Sequence, residues 1–331
     1  MTIMAGTKVE GKGVGKVGGL WVPLALVLVV LMFVGGAAHP SRLEQALWNL
    51  GHVPAFALWT ALLLKIPALR RESLAGQLGF AFILALGGGV LVEGAQTLFG
   101  RSFDLWDLLR NLAGALLAVA IFVPSPAISP PLQRRLCRGA AGLALAAVVL
   151  PATALMADSL LARQQFPLLA SFESPLELGR WSGSARISRT LGLAIEGEAS
   201  LQVEFGTEPY SGLFMDDFPG DWRGFGALEL SLYNPQTEPL EIHLLLFDQA
   251  HRDNGRPYAD RFNAVHTVPP GWSRLRIDLE TAAAAPAGRR LKLGEVASFG
   301  LFTVQRIAPA RLYLDQVRLL PAATVPGAGA L

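Results

Sequence analysis

Residues 76–99 have the sequence GQLGFAFILALGGGVLVEGAQTLF, in which Glu93 is the one charged side chain. A helix of about 20 apolar residues is long enough to cross the hydrocarbon core of a bilayer, so this stretch predicts a membrane span. The composition agrees, because 52% of the 331 residues are hydrophobic and 16% are charged. Soluble proteins have roughly a quarter charged residues. The deficit lies in residues 1–160, whereas residues 170–320 have the composition of a soluble domain.

Apolar runs on both sides of this stretch predict further spans. The full set of five is Leu20–Ala38, Leu47–Ile66, Gly76–Phe99, Leu108–Val123 and Gly139–Ala157. The fifth is expected to bend at Pro151, since proline removes a helix hydrogen bond. The first has an alternative interpretation as a signal peptide cleaved at Gly36-Ala37-Ala38. Cleavage would leave four spans with the same orientation.

The positions of lysine and arginine predict the orientation of the chain. Nine lie before the first span and in alternate loops, and three lie in the other loops. The two sets are Lys8, Lys12, Lys16, Lys65, Arg70, Arg71, Arg134, Arg135 and Arg138 against Arg42, Arg101 and Arg110. Cytoplasmic loops carry the excess of positive charge, so the N-terminus is predicted to be cytoplasmic. Five spans then place everything after residue 160 outside the cytoplasmic (plasma) membrane.

Beyond residue 170, apolar and polar side chains alternate in short stretches, as is typical of half-buried strands. The predicted strands are Ala185–Thr190, Ser200–Phe205, Ala227–Tyr233, Glu241–Phe247, Ser273–Leu279, Ser298–Val304 and Arg311–Leu319. Thr281–Ala287 is predicted to form a turn of helix. Antiparallel strands at this spacing predict a jelly-roll sandwich. Cys137 is the single cysteine, which excludes an internal disulfide.

The predicted fold class is therefore multidomain, with an all-α transmembrane helical bundle of five spans followed by an all-β jelly-roll sandwich. The predicted parts are a cytoplasmic tail (1–19), a transmembrane domain (20–157), a linker (158–169), an extracytoplasmic sandwich (170–320) and a disordered tail (321–331). The net charge of +2, without a basic stripe interleaved with aromatics, predicts no nucleic-acid partner.

Polar side chains cluster in the membrane half, around the outer loop between the third and fourth predicted spans. The set is His52, Glu93, Gln96, Arg101, Asp104, Asp107 and Asn111. Ionisable groups inside a membrane are costly and usually face a bundle interior or a wet cavity. One interpretation is a pocket at the outer leaflet that binds a lipid headgroup or an envelope precursor, or performs acid–base chemistry on it. The other is a network that holds the helices together, with Glu93 paired to Arg101 and Asp107 capping the fourth helix. Gly114 would allow close approach of a neighbouring helix.

Several of these residues also carry a family resemblance. The motif is Glu93-x-x-Gln96, Arg101 and Asp104-x-x-Asp107-x-x-x-Asn111-x-x-Gly114, with His52 and Phe56 in the second span. It resembles the VanZ-like membrane family, named for a glycopeptide-resistance accessory protein, over about residues 40–125. The resemblance implies a membrane bundle of the cell envelope without a defined activity. Asn49 stands where the family usually has an acid, which puts proton transfer at that position in doubt.

In the second half, a further set of segments carries a different resemblance. They are Ser171-Phe172-Glu173, Gly197–Val203, Asp221–Phe225, Leu232–Pro235, Pro270–Trp272 and Leu312–Leu319. They resemble the galactose-binding-like jelly roll of many carbohydrate-binding modules, over about residues 170–320. The resemblance implies that Glu173 and Asp315 hold a structural Ca²⁺, the one cofactor that the sequence suggests. A salt-bridged or hydrated pair is the alternative.

Residues 247–263 form the most polar and aromatic segment of this domain and are predicted to contact a ligand. Sugar binding needs flat aromatic faces and planar polar groups. The candidates are Asp248, His251, Arg252, Tyr258, Asp260, Arg261 and Asn263, together with Trp222 and Tyr210. The alternative for Asp260 and Arg261 is a loop salt bridge. For Trp181, Trp222 and Trp272 a core position is the favoured interpretation, because aromatic side chains bury large areas.

These patterns favour a non-enzymatic membrane protein of the cell envelope. Its partners would be the lipid bilayer and a glycan or lipid-linked saccharide that the sandwich binds. No Ser-His-Asp arrangement, metal-ligand motif or phosphate loop is recognisable in the sequence. One alternative is an enzyme that acts on a lipid-linked precursor at the outer leaflet through His52 and Glu93. Another is an assembly protein whose sandwich binds a second protein.

Overall fold

The computed structural model describes residues 23–24, 27–28, 40–98, 104–122 and 130–322. The chain divides into two compact units, Met1–Thr153 and Ala154–Leu331. The first predicted span, Arg101 and residues 323–331 lie outside the described residues, apart from four positions in that span.

The first unit is helical. Its helices are α1 (Arg42–Leu50), α2 (His52–Leu63), α3 (Pro67–Arg70), α4 (Leu74–Ile83), a π-helical turn (Leu84–Gly88), α5 (Gly89–Thr97), α6 (Leu105–Ile121) and α7 (Pro131–Gln165), which continues into the second unit. Side-chain caps begin these helices where the sequence offers them. Ser41 and Glu44 form a capping box at α1, and the Asp104 carboxylate accepts the Trp106 amide at α6.

Three helices of the described residues are long and apolar enough to cross a membrane, judged by length and composition. They are Arg42–Leu63, Leu74–Thr97 and Pro131–Gln165. These match the second, third and fifth predicted spans. The fourth corresponds to α6, which is shorter, with 17 residues. Five spans are therefore not shown.

Helices α2 and α6 pack with their backbones nearly in contact. A Cβ atom added to Gly114 would lie 2.2 Å from the carbonyl oxygen of Val53. On α5, a Cβ atom at Gly89 would lie 2.5 Å from the amide nitrogen of Asn111. At Gly114 the neighbouring atoms are backbone, so this position requires glycine, whereas at Gly89 the Asn111 and Leu108 side chains would have to move. The predicted close approach at Gly114 is confirmed, and it brings three helices together around one point.

The second unit contains a β-sandwich of two antiparallel sheets. Its strands are β1 (Leu168–Ala170), β2 (Trp181–Gly183), β3 (Arg186–Leu191), β4 (Ala199–Phe205), β5 (Tyr210–Met215), β6 (Phe225–Asn234), β7 (Leu240–Asp248), β8 (Phe262–Val268), β9 (Gly271–Asp278), β10 (Val296–Val304) and β11 (Ala310–Pro321), with helices α8 (Gln249–Asp253) and α9 (Leu279–Ala284). The six-stranded sheet has the order β3-β4-β11-β6-β9, with β1 also paired to β11. The five-stranded sheet has the order β2-β5-β10-β7-β8.

Alternating side chains of both sheets form the core between them. Leu201, Val203, Leu230, Leu232, Leu312 and Leu314 come from the six-stranded sheet, and Leu213, Met215, Leu244, Leu246, Phe299 and Leu301 come from the five-stranded sheet. The intervening residues of each strand face away from this core, as the two-residue period of a strand requires. In the five-stranded sheet, these intervening residues form the outer face.

The seven predicted strands are confirmed to within two residues at each end, and α9 lies where a turn of helix is predicted. Four strands have no counterpart in the prediction. Two of these, β1 and β2, have three residues each, and β5 contains Gly212, which interrupts the apolar alternation. The fourth, β8, begins inside the segment predicted as a ligand loop.

The segment predicted as a linker, 158–169, has regular structure. Helix α7 extends through it to Gln165, and β1 begins at Leu168. The guanidinium of Arg180 donates to the Asp158 carboxylate at 2.7 Å and to the Leu169 carbonyl at 2.8 Å, and both charged side chains are buried. This buried pair attaches the end of α7 to the sandwich within the second unit.

Candidate functional site

A buried polar cluster lies where α2, α5 and α6 meet. The Nδ1 atom of His52 lies 2.8 Å from Oδ1 of Asn111, and its Nε2 atom lies 3.4 Å from Oδ2 of Asp107. The backbone amide of Asp104 donates to the Glu93 carboxylate at 3.1 Å. His52, Glu93, Asp107 and Asn111 are all at least 98% buried. Five residues predicted from the sequence are thus brought together.

The remaining members of the predicted cluster have different outcomes. Gln96 is buried on α5, and Arg101 lies outside the described residues. Sequence reasoning misses Arg110, whose guanidinium contacts Asp107 and lies 3.1 Å from Asp104 Oδ2. Arg110 follows Asp107 by three residues on one helix, and this spacing is the signal that could have identified the pair.

The polar cluster also contains a group suited to a metal ion. Three metal-binding side chains, His52, Glu93 and Asp107, have ligand atoms within 4.8 Å of one another. In the part of the chain that the structure describes, this is the one such group of three or more His, Cys, Asp or Glu side chains. The sequence has no metal-ligand motif because these three ligands come from three different helices.

In the sandwich, the charged residues of the predicted ligand segment are engaged by Arg289. Asp248 is fully buried and accepts the Arg289 guanidinium at 2.7 and 2.8 Å, the Lys292 amide at 2.8 Å and the His251 amide at 3.1 Å. Asp260 accepts Arg289 at 2.8 Å and the Asn254 side chain at 2.7 Å. We call Asp248, Asp260 and Arg289 the ionic network.

The ionic network shifts the titration of its members. Hydrogen bonds from Arg289 lower the pKa of Asp260 well below the ordinary aspartate value. Burial acts to raise the pKa of Asp248, but hydrogen bonds from Arg289 and two backbone amides lower it overall. Burial lowers the pKa of His251, against the opposing effect of Asp260, which lies 3.4 Å from its Nδ1. Both carboxylates therefore stay charged at a lower pH than an ordinary aspartate does.

These contacts correct part of the predicted ligand site. Asp248 is buried and bonded to Arg289 and to backbone amides, and His251 is buried on α8. Asp260 pairs with Arg289, where a salt bridge to Arg261 was the alternative. Trp222 is a core residue with no exposed surface, packed 5.3 Å from Phe218, so it cannot stack on a ligand.

The other two tryptophans have different outcomes. Trp181 is in the core, as predicted. Trp272 is only half-buried and packs 5.3 Å from Tyr233 on the six-stranded sheet, so its predicted core position is wrong.

Four predicted residues remain accessible near the surface. Tyr258 is 70% exposed, and the Arg261 guanidinium lies 5.3 Å from its ring. Arg261 donates to Asn263 Oδ1 at 2.9 Å. Arg252 donates to Asp216 at 3.0 Å, where Ser182 also donates at 2.7 Å.

Tyr210, also predicted, belongs to an aromatic row that crosses the outer face of the five-stranded sheet. Its ring lies 6.2 Å from Phe302, which stacks on His243 at 5.2 Å with an angle of 24° between the rings. We call Tyr210, Phe302 and His243 the aromatic row. Phe214 lies beside it over Gly300, where an added Cβ would be 2.1 Å from the ring.

Sequence reasoning misses Phe302, His243 and Phe214. Phe302 alternates with the buried Leu301 and Thr303, which places it on the outer face. The pairing of β10 with β7 then sets Phe302 directly opposite His243. Alternation alone could have shown the face, but not which aromatics are neighbours.

The proposed calcium ligands lie close together. Asp315 is fully buried and accepts the amides of Gln316 at 2.7 Å and Ile195 at 2.8 Å. Glu173 accepts the Glu198 amide at 2.9 Å. Burial raises the pKa of Asp315, and the negative charge of Glu173 raises it further. Two neighbouring carboxylates supply the hard oxygen ligands that Ca²⁺ requires. Glu173 and Asp315 would hold the ion, and its positive charge would neutralise the repulsion between them.

No protein-family model matches the sequence, and no curated protein matches it. The resemblance to the VanZ-like family therefore stays a prediction.

Similar solved structures exist for the sandwich. An exo-β-agarase is 17% identical with a TM-score of 0.39 over 47% of this chain, which spans a quarter (25%) of the agarase. The family 11 carbohydrate-binding module of Clostridium thermocellum, in complex with a β-1,3-1,4-mixed-linked tetrasaccharide, is 18% identical with a TM-score of 0.36 over 47% of this chain and 95% of the module. A family 22 module from the same organism is 16% identical with a TM-score of 0.32 over 47% of this chain and 93% of the module.

Proposed function

We propose that this chain is an integral membrane protein of the cell envelope that binds a glycan, free or lipid-linked, on the outer face of its five-stranded sheet. The observation that carries the proposal is the aromatic row. Sugar rings present C–H faces that stack on flat aromatic rings, and planar polar groups bind their hydroxyls. Tyr210 is 69% exposed, so its ring face is available to a ligand.

Polar groups that suit sugar hydroxyls lie on or next to strands of the same sheet. Asp216 directly follows β5, and the hydroxyl of Ser182 on β2 donates to the Asp216 carboxylate. Arg252 donates to Asp216 as well, and its guanidinium lies 5.7 Å from the Phe247 ring. A carboxylate held between a hydroxyl and a guanidinium is already oriented, which reduces the entropy lost when a ligand binds.

A second set of aromatics crosses the six-stranded sheet and provides a comparison. Tyr313, Tyr233 and Trp272 stand side by side on three paired strands, with ring distances of 5.9 and 5.3 Å. Tyr313 is buried and its hydroxyl lies 3.2 Å from Gln202 Oε1. This set is less accessible than the aromatic row, so we assign the ligand to the five-stranded sheet.

The membrane part of the proposal rests on the three long apolar helices and on the charge asymmetry of the sequence. Apolar segments of this length are stable in lipid. The excess of lysine and arginine in alternate loops supports a cytoplasmic N-terminus and an extracytoplasmic sandwich. In that compartment the sandwich meets envelope glycans.

A binding experiment on the full chain tests the proposal. The protein is reconstituted in lipid nanodiscs and titrated with envelope oligosaccharides selected on a glycan array. Tyr210→Ala and Phe302→Ala should each weaken binding about tenfold, equal to about 1.4 kcal/mol. Trp272→Ala, on the other sheet, is the matched control and should leave the affinity unchanged.

Tyr258→Ala separates the outer face from the loop predicted from the sequence. If Tyr258→Ala weakens binding and Tyr210→Ala does not, the loop is the site. If neither change matters, or if no envelope sugar binds, the proposal fails.

An enzyme acting on a lipid-linked precursor is the second candidate function. It is favoured by the buried contact of His52 with Asp107, which would set an imidazole and a carboxylate beside a substrate. Glu93→Gln in a reconstituted assay should abolish turnover while the protein stays folded. An unchanged rate would exclude acid–base catalysis by Glu93. The third candidate, an assembly role, would show as a protein partner cross-linked to the sandwich.

A further inference from the structure

Three buried side chains of the polar cluster direct possible metal ligands toward one point. The ligand atoms of His52, Glu93 and Asp107 all lie within 4.8 Å of one another, and the three residues are buried. The Nδ1 atom of His52 lies 2.8 Å from Oδ1 of Asn111, and its Nε2 atom lies 3.4 Å from Oδ2 of Asp107. In the neutral tautomer that donates from Nδ1 to the Asn111 oxygen, Nε2 carries the lone pair that binds a metal ion.

The separation of Nε2 of His52 from the Asp107 carboxylate is compatible with a shared metal ion. The distance from Nε2 to Asp107 Oδ2 is 3.4 Å. An N–H···O hydrogen bond typically spans about 2.7–3.2 Å, so a shared proton would draw the atoms closer. Two ligands at about 2.0–2.1 Å from one tetrahedral zinc ion lie about 3.4 Å apart. The separation of Nε2 and Oδ2 therefore matches that of two ligands of one metal ion.

The carboxylates are oriented through the groups around them. Arg110 contacts the Oδ1 oxygen of Asp107, which leaves the Oδ2 oxygen directed at His52. The Asp104 amide donates to one oxygen of Glu93. Metal sites in proteins have outer groups of this kind, which hold each ligand in its orientation. The Asn111 oxygen serves the same purpose for the imidazole.

We propose that His52, Glu93 and Asp107 bind one divalent transition-metal ion, and that Zn²⁺ fits the site best. An imidazole ligand suits zinc, copper, iron or nickel, whereas calcium, magnesium and manganese prefer oxygen ligands. Three protein ligands leave a tetrahedral ion one open position, the arrangement of zinc sites that bind water or substrate. This site lies in the helical unit and does not depend on glycan binding by the sandwich.

Metal titration of the full chain tests the proposal. Protein without a polyhistidine tag is reconstituted in nanodiscs, treated with a chelator and titrated with Zn²⁺ and with Co²⁺. One ion per chain should bind, and Co²⁺ should give the visible absorption of a tetrahedral site. His52→Gln and Glu93→Gln should weaken binding at least tenfold, and Asn111→Ala by about 10–100-fold, as for other outer groups.

Glu44→Gln is the matched control. It removes an exposed carboxylate of the same helical unit, in the capping box of α1, where glutamine caps as well, so it should change the metal affinity less than threefold. The proposal is overturned if the wild-type chain binds no ion, if the ligand variants bind like wild type, or if Glu44→Gln weakens binding as much as Glu93→Gln. Should a ligand variant fail to fold, the Co²⁺ spectrum of the wild type decides, because a spectrum without tetrahedral bands also overturns it.

Discussion

The two buried polar clusters of this protein use the same kinds of residues in opposite ways. In the sandwich, Asp248 and Asp260 both meet Arg289, and every charge faces a group of opposite polarity. In the helical unit, Glu93, Asp107 and His52 direct ligand atoms toward one another. The first cluster pairs its charges internally, whereas in our proposal the second binds a metal ion. Burial alone therefore does not mark a binding site; the atoms that face each other do.

The largest expected effect comes from Arg289→Met, which breaks the ionic network. The change leaves Asp248 buried without its main partner. Removing one member of a buried ion pair typically costs about 3–5 kcal/mol, because the remaining charge is uncompensated. Urea unfolding of the full chain, followed by tryptophan fluorescence, measures this loss.

Arg290→Met is the control for that change. Arg290 pairs with Glu280, and both side chains are mostly exposed. Exposed pairs contribute about 0–1 kcal/mol. If both substitutions cost the same, the ionic network does not stabilise the sandwich and the comparison between the two clusters fails.

Acid should destabilise the ionic network as well, but by less than Arg289→Met does. Protonation breaks the ion pairs with Arg289, yet it leaves no two unpaired carboxylates that repel each other. The pKa values of Asp248 and Asp260 are lowered in the folded state, so the unfolded chain binds more protons below pH about 4, and stability is lost as the pH falls through that range. Burial also lowers the pKa of His251, which adds a loss that begins below pH about 6.5.

Unfolding measured from pH 7 to pH 3 checks this dependence. Asp260→Asn should flatten the part below pH about 4, because it removes one of the two depressed carboxylates. Asp253→Asn, which replaces an exposed acid of the same segment, is the control. An equal slope in wild type and Asp260→Asn would show that the acid loss arises elsewhere.

The sequence is sufficient for the sandwich because alternation records which side of a strand is buried. The core strands β4, β6, β7, β10 and β11 all follow from it. Pairing partners distant in the chain do not follow. Arg289 is 41 residues from Asp248, and in the sequence it is one arginine among many. The aromatic row depends in the same way on the register of β10 against β7.

In the helical unit, residues of the predicted polar cluster lie together for a different reason. Charged and amide groups are rare in apolar helices, so each one stands out, and their meeting point follows from the cost of exposing them to lipid. What the sequence cannot give is the orientation of His52 toward Asp107, because it depends on the close contact of Gly114 with α2.

Gly114→Ala tests how far the polar cluster depends on the close contact of α6 with α2. The added Cβ would lie 2.2 Å from the Val53 carbonyl oxygen, so α2 and α6 must separate. Overpacking of this kind costs about 1–3 kcal/mol. Thermal unfolding in nanodiscs should show the loss, and Zn²⁺ affinity should fall with it because the ligands move apart.

Gly142→Ala is the matched control for this substitution. Nothing lies within 4 Å of a Cβ atom at Gly142 on α7, so alanine should be neutral there. If Gly114→Ala and Gly142→Ala behaved alike, the close packing of α2 on α6 would not support the polar cluster.

The smallest expected effect is stabilisation by Ca²⁺ at Glu173 and Asp315. This pair resembles the polar cluster of the helical unit in its neighbouring carboxylates but has no imidazole. An ion that binds only the folded sandwich stabilises it by about 1.4 kcal/mol at tenfold excess over its dissociation constant. Ca²⁺ should therefore raise the unfolding temperature of the wild-type chain but not that of Asp315→Asn. Asp278→Asn, whose side chain caps α9, should respond to Ca²⁺ like wild type. A Ca²⁺ response that survived in Asp315→Asn would favour the hydrated pair. If Zn²⁺ bound at Glu173 and Asp315 as strongly as at His52, ligand chemistry would not distinguish the two sites.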